Sequence, residues 1–125
     1  MVMMRESEVI SIVDDDASVR QALDGLLRSV GLRAATFASA EEFLGSDHPR
    51  RTACLILDLR MPRLGGRELQ EKLVHDGYQI PVIILTAHGN EKARAWASAA
   101  GVVAFLHKPF DTETLLGAVE SALNR

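Results

Sequence analysis

Five short apolar runs alternate along the chain with segments whose apolar residues recur at helical spacing. The runs predict strands at Val9–Val13, Leu32–Phe37, Ala53–Leu57, Ile80–Leu85 and Val102–Leu106. Pro81 fits only near the beginning of its strand, because proline cannot donate a hydrogen bond to a sheet ladder. The pattern therefore predicts a regular alternation of strands and helices over the whole chain.

The segments between and after the strands predict five helices. Apolar residues recur at helical spacing from Val19 to Val30, on a helix over about Gly66–Asp76, and from Leu115 to Leu123. Two more helices are predicted by caps, a short one after Ser39 and an alanine-rich one after Asn90, while Asp111 or Thr112 caps the last helix. Helix stops are predicted at Gly31, Gly77 and before Gly101, and residues 46–52 form a polar loop.

Strands that alternate with helices imply parallel βαβ units with helices on both faces of one sheet. The third and fourth strands are continuously apolar and the first is apolar apart from Ser11, which is typical of central strands that are buried on both faces. Five such units fit a doubly wound α/β sheet. Its strand order is either the flavodoxin-like 2-1-3-4-5 or a Rossmann-like order, and the pattern alone does not decide between them.

Length and composition favour one globular domain. The chain has 125 residues, which predicts a single domain over 1–125. Its net charge of −3 gives no electrostatic case for binding nucleic acid or a membrane. Cys54 is the only cysteine, Met1–Glu8 lacks the apolar stretch of a signal peptide, and no apolar run approaches the ~20 residues that span a bilayer. We therefore expect a cytoplasmic protein.

Polar or charged residues follow or end four of the predicted strands. In chain order they are Asp14–Asp16, Asp58, Thr86 and Lys108. The carboxyl ends of parallel strands meet at one edge of a sheet, where open α/β sheets bind their ligands. Two carboxylates ~4 Å apart repel each other by about 4 kcal/mol at an effective dielectric constant of 20, so such a cluster needs a proton or a cation.

The residue types at this edge indicate phosphate and metal chemistry. Because the cluster offers only oxygen ligands, it favours a hard cation such as Mg²⁺, or Mn²⁺. An aspartate can act as a nucleophile and form an aspartyl phosphate. Lys108 would supply positive charge to a phosphoryl group there, Thr86 a hydroxyl, and Ala87 a backbone N–H.

Four segments of the chain resemble the receiver domains of two-component response regulators. They are Val13–Asp15, Asp58–Pro62, Leu85–Gly89 and Lys108–Phe110, in the family's order and at its spacing. The motifs Asp-Leu-Arg-Met-Pro and Thr-Ala-His-Gly are similar to those of the nitrogen-fixation and nitrate-type transcriptional regulators. The resemblance implies the 2-1-3-4-5 strand order and a receiver that is either a stand-alone protein or the N-terminal part of a longer regulator.

The resemblance also implies a role for each residue of the acidic site. Asp58 would accept a phosphoryl group from the phosphohistidine of a sensor histidine kinase. Asp15 would bind Mg²⁺ directly, with Asp14, Asp58 and the backbone carbonyl of Arg60 as further ligands. Lys108 would hold a phosphoryl oxygen. Such a domain is not an enzyme acting on other substrates, since it promotes only its own phosphorylation and dephosphorylation.

A second set of implied roles concerns switching. Thr86 and Ala87 would bind the phosphoryl group, with Thr86 moving toward it, and Phe105 stands where the family has its aromatic switch residue. The Lys108-Pro109 peptide bond is typically cis in the family. Phosphorylation would switch the surface around the fourth helix and fifth strand to control an output such as transcription. The fourth helix, fifth strand and fifth helix would also form the face of a phosphorylation-dependent homodimer.

Two other functions remain open at this point. Asp14 and Asp16 after an apolar strand resemble the nucleophile motif of haloacid-dehalogenase-type phosphohydrolases, with Asp14 as the nucleophile. That interpretation leaves Asp58 unexplained, and the acidic pair expected after the lysine is absent, since Asp111 stands alone. A flavodoxin-like flavin binder is a third possibility, but the first strand is followed by acids instead of a phosphate-binding loop. Asp16, which makes the first cluster a triple acid, has no assigned role.

Overall fold

The computed structural model describes residues 4–124. Residues 1–3 and 125, which belong to the predicted domain and include the start of Met1–Glu8, lie outside this range. The elements are β1 Val9–Val13, α1 Ala17–Ser29, β2 Ala34–Phe37, α2 Ala40–Leu44, a 3-10 helix His48–Arg51, β3 Thr52–Leu57, α3 Gly66–His75, β4 Val82–Thr86, α4 Glu91–Ala99, β5 Ala104–His107 and α5 Thr112–Leu123. Within the described range, none of the helices has the length and apolar character needed to cross a bilayer.

The five strands form one parallel sheet in the order β2-β1-β3-β4-β5. The fold is therefore the flavodoxin-like doubly wound α/β sandwich, and the Rossmann-like order is excluded. Val13 of β1 is in register with Leu57 of β3, so the next residues, Asp14 and Asp58, leave neighbouring strands at the same level. Thr86 of β4 is likewise in register with His107 of β5, which sets Lys108 beside the β4 end.

Apolar side chains cover both faces of the sheet. On one face, α1 and α5 pack against β1, β3 and β4 through buried residues that include Leu23, Leu27 and Leu115. On the other face α2, α3 and α4 contribute Phe43, Leu69 and Ala97. Cys54 is part of the first layer, and burial raises the pKa of its thiol to about 12, so the thiol stays protonated and unreactive.

Three helices end in the same glycine turn, which explains where sequence and structure differ. Gly31, Gly77 and Gly101 have φ values of 83°, 89° and 76°, in the left-handed region that favours glycine. The residue after each glycine donates its backbone N–H back to the helix: Leu32 to the Leu27 carbonyl, Tyr78 to Leu73 and Val102 to Ala97. Leu32 and Val102 thus close helices instead of opening strands, and Ile80 lies in the connection between the Tyr78 turn and β4. The apolar pattern therefore starts β2, β4 and β5 two residues too early.

Smaller differences lie at the other strand ends. The predicted polar loop over 46–52 contains the short 3-10 helix His48–Arg51, and Thr52 already belongs to β3. Thr52 and Ser11 share a hydrogen bond of 2.7 Å between their hydroxyl oxygens, so Thr52 joins the sheet through a polar contact that apolar patterning does not register. β4 and β5 each extend one residue further than predicted, to Thr86 and His107.

Candidate functional site

The acidic cluster is formed as the strand order requires. Asp14 and Asp15 follow β1, Asp58 follows β3, and each offers a carboxylate oxygen within 4.8 Å of the others. Asp14 and Asp58 are only 2% and 5% exposed, whereas Asp15 is exposed. Two buried acids with one at the solvent edge make a site of high negative charge density that is open on one side.

Within residues 4–124, Lys108 is the only side-chain cation in contact with the carboxylate groups of the two buried acids. Its Nζ lies 2.8 Å from Asp14 Oδ2 and 3.1 Å from Asp58 Oδ2. Burial is the main cause that raises the pKa of Asp14, and it outweighs the opposing hydrogen bond from Lys108. Burial alone would lower the pKa of Lys108, but its hydrogen bonds to Asp14 and Asp58 outweigh that effect and raise it. Lys108 is thus a permanent ammonium between two carboxyl groups.

Backbone contacts hold these side chains at the sheet edge. The N–H of Asp58 donates to the Val13 carbonyl oxygen at 3.1 Å, and the N–H of Lys108 donates to Thr86 O at 3.1 Å. The Lys108-Pro109 peptide bond is cis, as the resemblance implies. Lys108 and Asp58 therefore reach the site from chain segments that hydrogen-bond to neighbouring strands.

The third acid, Asp16, is used locally. Its side chain is the N-cap of α1 and accepts hydrogen bonds from the backbone N–H and the hydroxyl of Ser18, at 2.9 and 2.7 Å. The N–H of Asp16 in turn donates to Asp14 Oδ1 at 2.9 Å. Arg20, which sequence reasoning missed, donates from Nη1 to the Asp14 backbone oxygen at 2.7 Å. Its position on α1, six residues after Asp14, is the only signal in the sequence that could have identified it.

The loop between β3 and α3 borders the cluster on one side. It closes tightly, because Gly66 N–H donates to the Leu59 carbonyl oxygen at 3.0 Å. A Cβ at Gly66 would lie 2.3 Å from the backbone oxygen of Asp58, so only glycine fits against this part of the chain. Arg63 has a φ of 64°, and the next residue, Leu64, donates its N–H to Glu41 Oε2 of α2 at 3.1 Å. The loop is therefore fixed at both ends.

A cleft of about 610 Å³ opens over the cluster. Its lining includes Asp15, Asp58, Arg60, Ala87 and Lys108, five of the residues that the sequence assigns to the site. The cleft is large enough for a hydrated cation together with a phosphoryl group. Oxygen ligands, a single ammonium and an open mouth fit Mg²⁺, which keeps several waters and takes one or two carboxylates plus phosphate.

Two predicted switch residues lie outside this cleft lining. Thr86 is fully buried, and its Oγ1 accepts a hydrogen bond from the backbone N–H of His88 at 3.1 Å. Phe105 is half-buried on β5, where its ring contacts His107 and Arg94. The structure thus brings Asp14, Asp15, Asp58 and Lys108 together, whereas the Thr86 hydroxyl has its hydrogen bond with the His88 backbone.

Comparisons with known proteins identify the family. Residues 10–120 match the family model described as the response regulator receiver domain. The chain belongs to the response regulator receiver domain family. This receiver is 46% identical to the response regulator protein TmoT of Ectopseudomonas mendocina over 94% of the chain and 54% of TmoT. It is 38% identical to the transcriptional regulatory protein FixJ of Azorhizobium caulinodans over 98% of the chain and 58% of that protein.

A solved structure has the same fold. The crystal structure of FixJ-N aligns with a TM-score of 0.84 at 35% identity, covering 98% of this receiver and 97% of that chain. These matches confirm the resemblance to the nitrogen-fixation type of regulator. The receiver spans about half the length of the curated relatives it matches, 54% of TmoT and 58% of FixJ.

Membership of the family assigns the receiver to phosphoacceptor function in two-component signalling. The phosphohydrolase interpretation based on Asp14 is not favoured, because it gives no role to Asp58, which is buried beside Lys108. The flavin-binding interpretation has no support in the family match. The family consists of signalling proteins, and the acidic cluster of Asp14, Asp15 and Asp58 is of the kind that holds a divalent cation.

Proposed function

We propose that Asp58 is the phosphoacceptor and that a sensor histidine kinase is its phosphodonor. The observation that carries this proposal is the environment of Asp58, a buried carboxylate hydrogen-bonded to Lys108 at 3.1 Å beneath an open cleft. A carboxylate held by a single ammonium, with one side facing a cleft, is positioned to attack an incoming group. Burial without such access would instead suggest a purely structural ion pair.

The proposed phosphoryl transfer from histidine to Asp58 is a displacement at phosphorus and needs no oxidant or reductant. A carboxylate oxygen of Asp58 forms a bond to phosphorus as the phosphorus–nitrogen bond of the phosphohistidine breaks, and the electron pair of that bond stays on the imidazole. Lys108 is close enough to Asp58 to neutralise charge that develops on a phosphoryl oxygen. The Ala87 N–H, from a residue that lines the cleft, would donate to another oxygen.

The residues present fit a divalent metal beside Asp58. We propose that Asp14, Asp15, Asp58 and the backbone carbonyl of Arg60 hold Mg²⁺, with Mn²⁺ as a substitute. The three carboxylates carry three negative charges and Lys108 carries one positive charge, so two negative charges remain for a divalent cation to neutralise. The metal, when bound, supplies neutralisation of the charge on the phosphoryl oxygens.

Phosphorylation would be read through Thr86 and Phe105. Oγ1 of Thr86 accepts the His88 N–H, which leaves the hydroxyl hydrogen available for a phosphoryl oxygen, and we expect Thr86 to move toward Asp58 to donate it. A hydrogen bond to a charged group contributes about 1.5–3 kcal/mol, and full burial of an aromatic ring about 1.5–3 kcal/mol. Reversing a population from 1:99 to 99:1 takes about 5.5 kcal/mol, so we propose that Thr86, Ala87 and Lys108 together tip a two-state element that includes Phe105.

We expect acetyl phosphate with Mg²⁺ to label Asp58. The label is mapped by mass spectrometry after reduction of the acyl phosphate, and Asp58→Asn should remove it because the amide is not a nucleophile. Asp47→Asn, an exposed aspartate away from the cleft, is the matched control and should label normally. A label on Asp14 that survives in Asp58→Asn would instead support the phosphohydrolase.

We propose that residues 1–125 form a single receiver domain that acts in the cytoplasm and controls transcription, either alone or as the N-terminal part of a longer regulator. The relatives that support this proposal are about twice as long as this chain, and one is named a transcriptional regulatory protein. We further propose that the exposed edge strand β5, with α4 and α5, is the face of a phosphorylation-dependent homodimer. β5 ends the sheet, so one of its sides is free to take part in an interface.

We expect sedimentation to detect that dimer only in the activated state. Addition of beryllofluoride, which mimics a phosphoryl group on an aspartate, together with Mg²⁺ should raise the weight-average mass above that of the monomer. The Asp58→Asn variant under the same conditions is the control and should remain monomeric. An unchanged monomer for the wild-type protein would contradict the proposed interface.

A further inference from the structure

A small cluster between β5 and α4 holds the ring of Phe105. The guanidinium carbon of Arg94, on α4, lies 4.8 Å from the centre of the Phe105 ring. Arg94 Nη2 also lies 3.0 Å from Nε2 of His107. The rings of Phe105 and His107 meet edge to face, with centroids 5.8 Å apart and planes at 71°. Arg94 is therefore fixed at two points, and one of them is the ring of the proposed switch residue.

The chemistry of the contact defines its geometry. A guanidinium has donors only, so the contacting nitrogen of His107 must be the acceptor of the ring. This hydrogen bond orients the guanidinium, and the delocalised charge over the Phe105 ring is attracted to the negative face of the aromatic system. The two contacts support each other, because movement of Phe105 away from its half-buried position removes the surface on which Arg94 rests.

Gly89 provides the room for this arrangement. A Cβ at position 89 would lie 2.7 Å from Cε1 of Phe105 and 2.8 Å from Cε1 of His107, both closer than real Cβ atoms approach other atoms. The backbone of Gly89 is not in the left-handed region, so glycine is not required there by its conformation. The missing side chain itself is what admits the two rings. Gly89 also lies in the β4–α4 loop, three residues after Thr86.

We propose that Arg94 is a positioning residue that retains Phe105 in its half-buried position beside α4 and so sets how readily the domain is activated. Gly89 is the complementary element that leaves space for that position. This inference rests on the proposed role of Phe105 and adds a residue to it: the resting state is stabilised by a contact made outside the phosphoryl site. Loss of the contact should favour the activated state without any change at Asp58 or Lys108.

The test is the apparent affinity for beryllofluoride at saturating Mg²⁺. We expect Arg94→Ala to bind about fivefold more tightly, which corresponds to about 1 kcal/mol of lost retention. Gly89→Ala should shift affinity in the same direction, because it displaces the two rings by a steric route. Arg94→Lys keeps a cation near the ring but loses the planar fork, so its affinity should lie between those of the wild type and Arg94→Ala.

Arg67→Ala is the matched control. Arg67 makes the other arginine–aromatic contact of the described chain, with its guanidinium carbon 5.5 Å from the centre of the Trp96 ring. This variant removes the same charge from a nearby helix, and loss of a positive charge alone should leave anion affinity unchanged or weaken it. If Arg94→Ala binds beryllofluoride no more tightly than Arg67→Ala does, the positioning role of Arg94 is wrong.

A second measurement separates this inference from the proposed function. In the free protein, the ring current of Phe105 should move the side-chain proton resonances of Arg94 upfield, and Gly89→Ala should abolish that shift. Normal Arg94 resonances in the wild type would overturn the contact itself. A wild type that keeps the shift but takes no beryllofluoride or label at Asp58 would contradict the proposed function and leave the Arg94 contact standing.

Discussion

Replacing Lys108 with methionine will lower the free energy of unfolding of the magnesium-free protein by about 3 kcal/mol at pH 8. The ammonium lies within 3.1 Å of both Asp14 and Asp58, and its removal leaves two buried carboxylates facing each other. Methionine approximates the length of the lysine stem, so the loss reports charge rather than a cavity. Saturating Mg²⁺ should restore most of the loss, because a divalent cation replaces the missing positive charge.

Urea unfolding with and without Mg²⁺ measures this effect. Repeating it at several pH values tests whether the loss of stability changes in the expected direction. The pKa of Asp14 is already raised by burial, so its carboxyl takes a proton more readily in the folded than in the unfolded state. Stability that depends on this proton is present at low pH and lost as the pH rises. The deficit of Lys108→Met should therefore shrink as the pH falls from 8 toward the carboxyl range.

Lys72→Met is the control for this prediction. Lys72, on the exposed surface of α3, pairs at 3.5 Å with Asp76, the C-cap residue that follows the helix. Such surface pairs contribute no more than about 0.5 kcal/mol, so this variant should be nearly as stable as the wild type. Mg²⁺ should stabilise it by the same amount as it stabilises the wild type. Equal losses in the two lysine variants would refute the role of Lys108 as the neutralising cation.

Gly66→Ala will damage both the fold and the reaction. The new Cβ would meet the Asp58 backbone oxygen at 2.3 Å and the Leu59 Cα at 2.9 Å, and backbone atoms cannot turn aside as a side chain can. We expect a loss of about 2–3 kcal/mol in the free energy of unfolding, as for other overpacked positions. Because the displaced backbone carries Asp58, the rate of labelling by acetyl phosphate should also fall, by a factor on the order of 10².

Gly25→Ala separates this effect from the general change of glycine to alanine. Gly25 lies in α1, where a Cβ would have no other atom within 4 Å, and alanine is the better helix former by roughly 1 kcal/mol. Gly25→Ala should therefore be slightly more stable than the wild type and should label at the normal rate. A Gly66→Ala protein that matches it in stability and labelling would rule out the close approach of Gly66 to Asp58.

The alternation of strands and helices was predictable because each element has its own period. The apolar runs of β1, β3 and β4 are buried along most of their length, and the caps at Ser39, Asn90 and Asp111 accept the predicted hydrogen bonds. Strand order was not predictable from the apolar pattern, since the backbone hydrogen bonds that decide which strands are neighbours do not depend on the spacing of apolar residues. It followed from the family resemblance.

The same distinction applies to the site. Asp14, Asp15, Asp58 and Lys108 could be assigned because each follows its strand closely, at positions that the sheet brings to one edge. The local use of Asp16 as a helix cap could be separated from that cluster only with hydrogen-bond geometry. Arg20 and Arg94 were missed because surface arginines on helices are common. What sets these two apart is a contact with a residue distant in sequence or with the backbone of the acidic turn.

The glycine turns at Gly31, Gly77 and Gly101 lie at one end of the strands and the acidic site lies at the other, and the two ends differ in how much sequence change they tolerate. They precede the amino ends of β2, β4 and β5, opposite the edge where Asp58 and its partners lie. None of the three glycines belongs to the cleft lining. The length of the loops that contain these glycines therefore does not affect the distances between Asp58, Lys108 and the other residues of the cleft. The chain can acquire insertions or affinity tags there while the chemistry at the other edge stays the same.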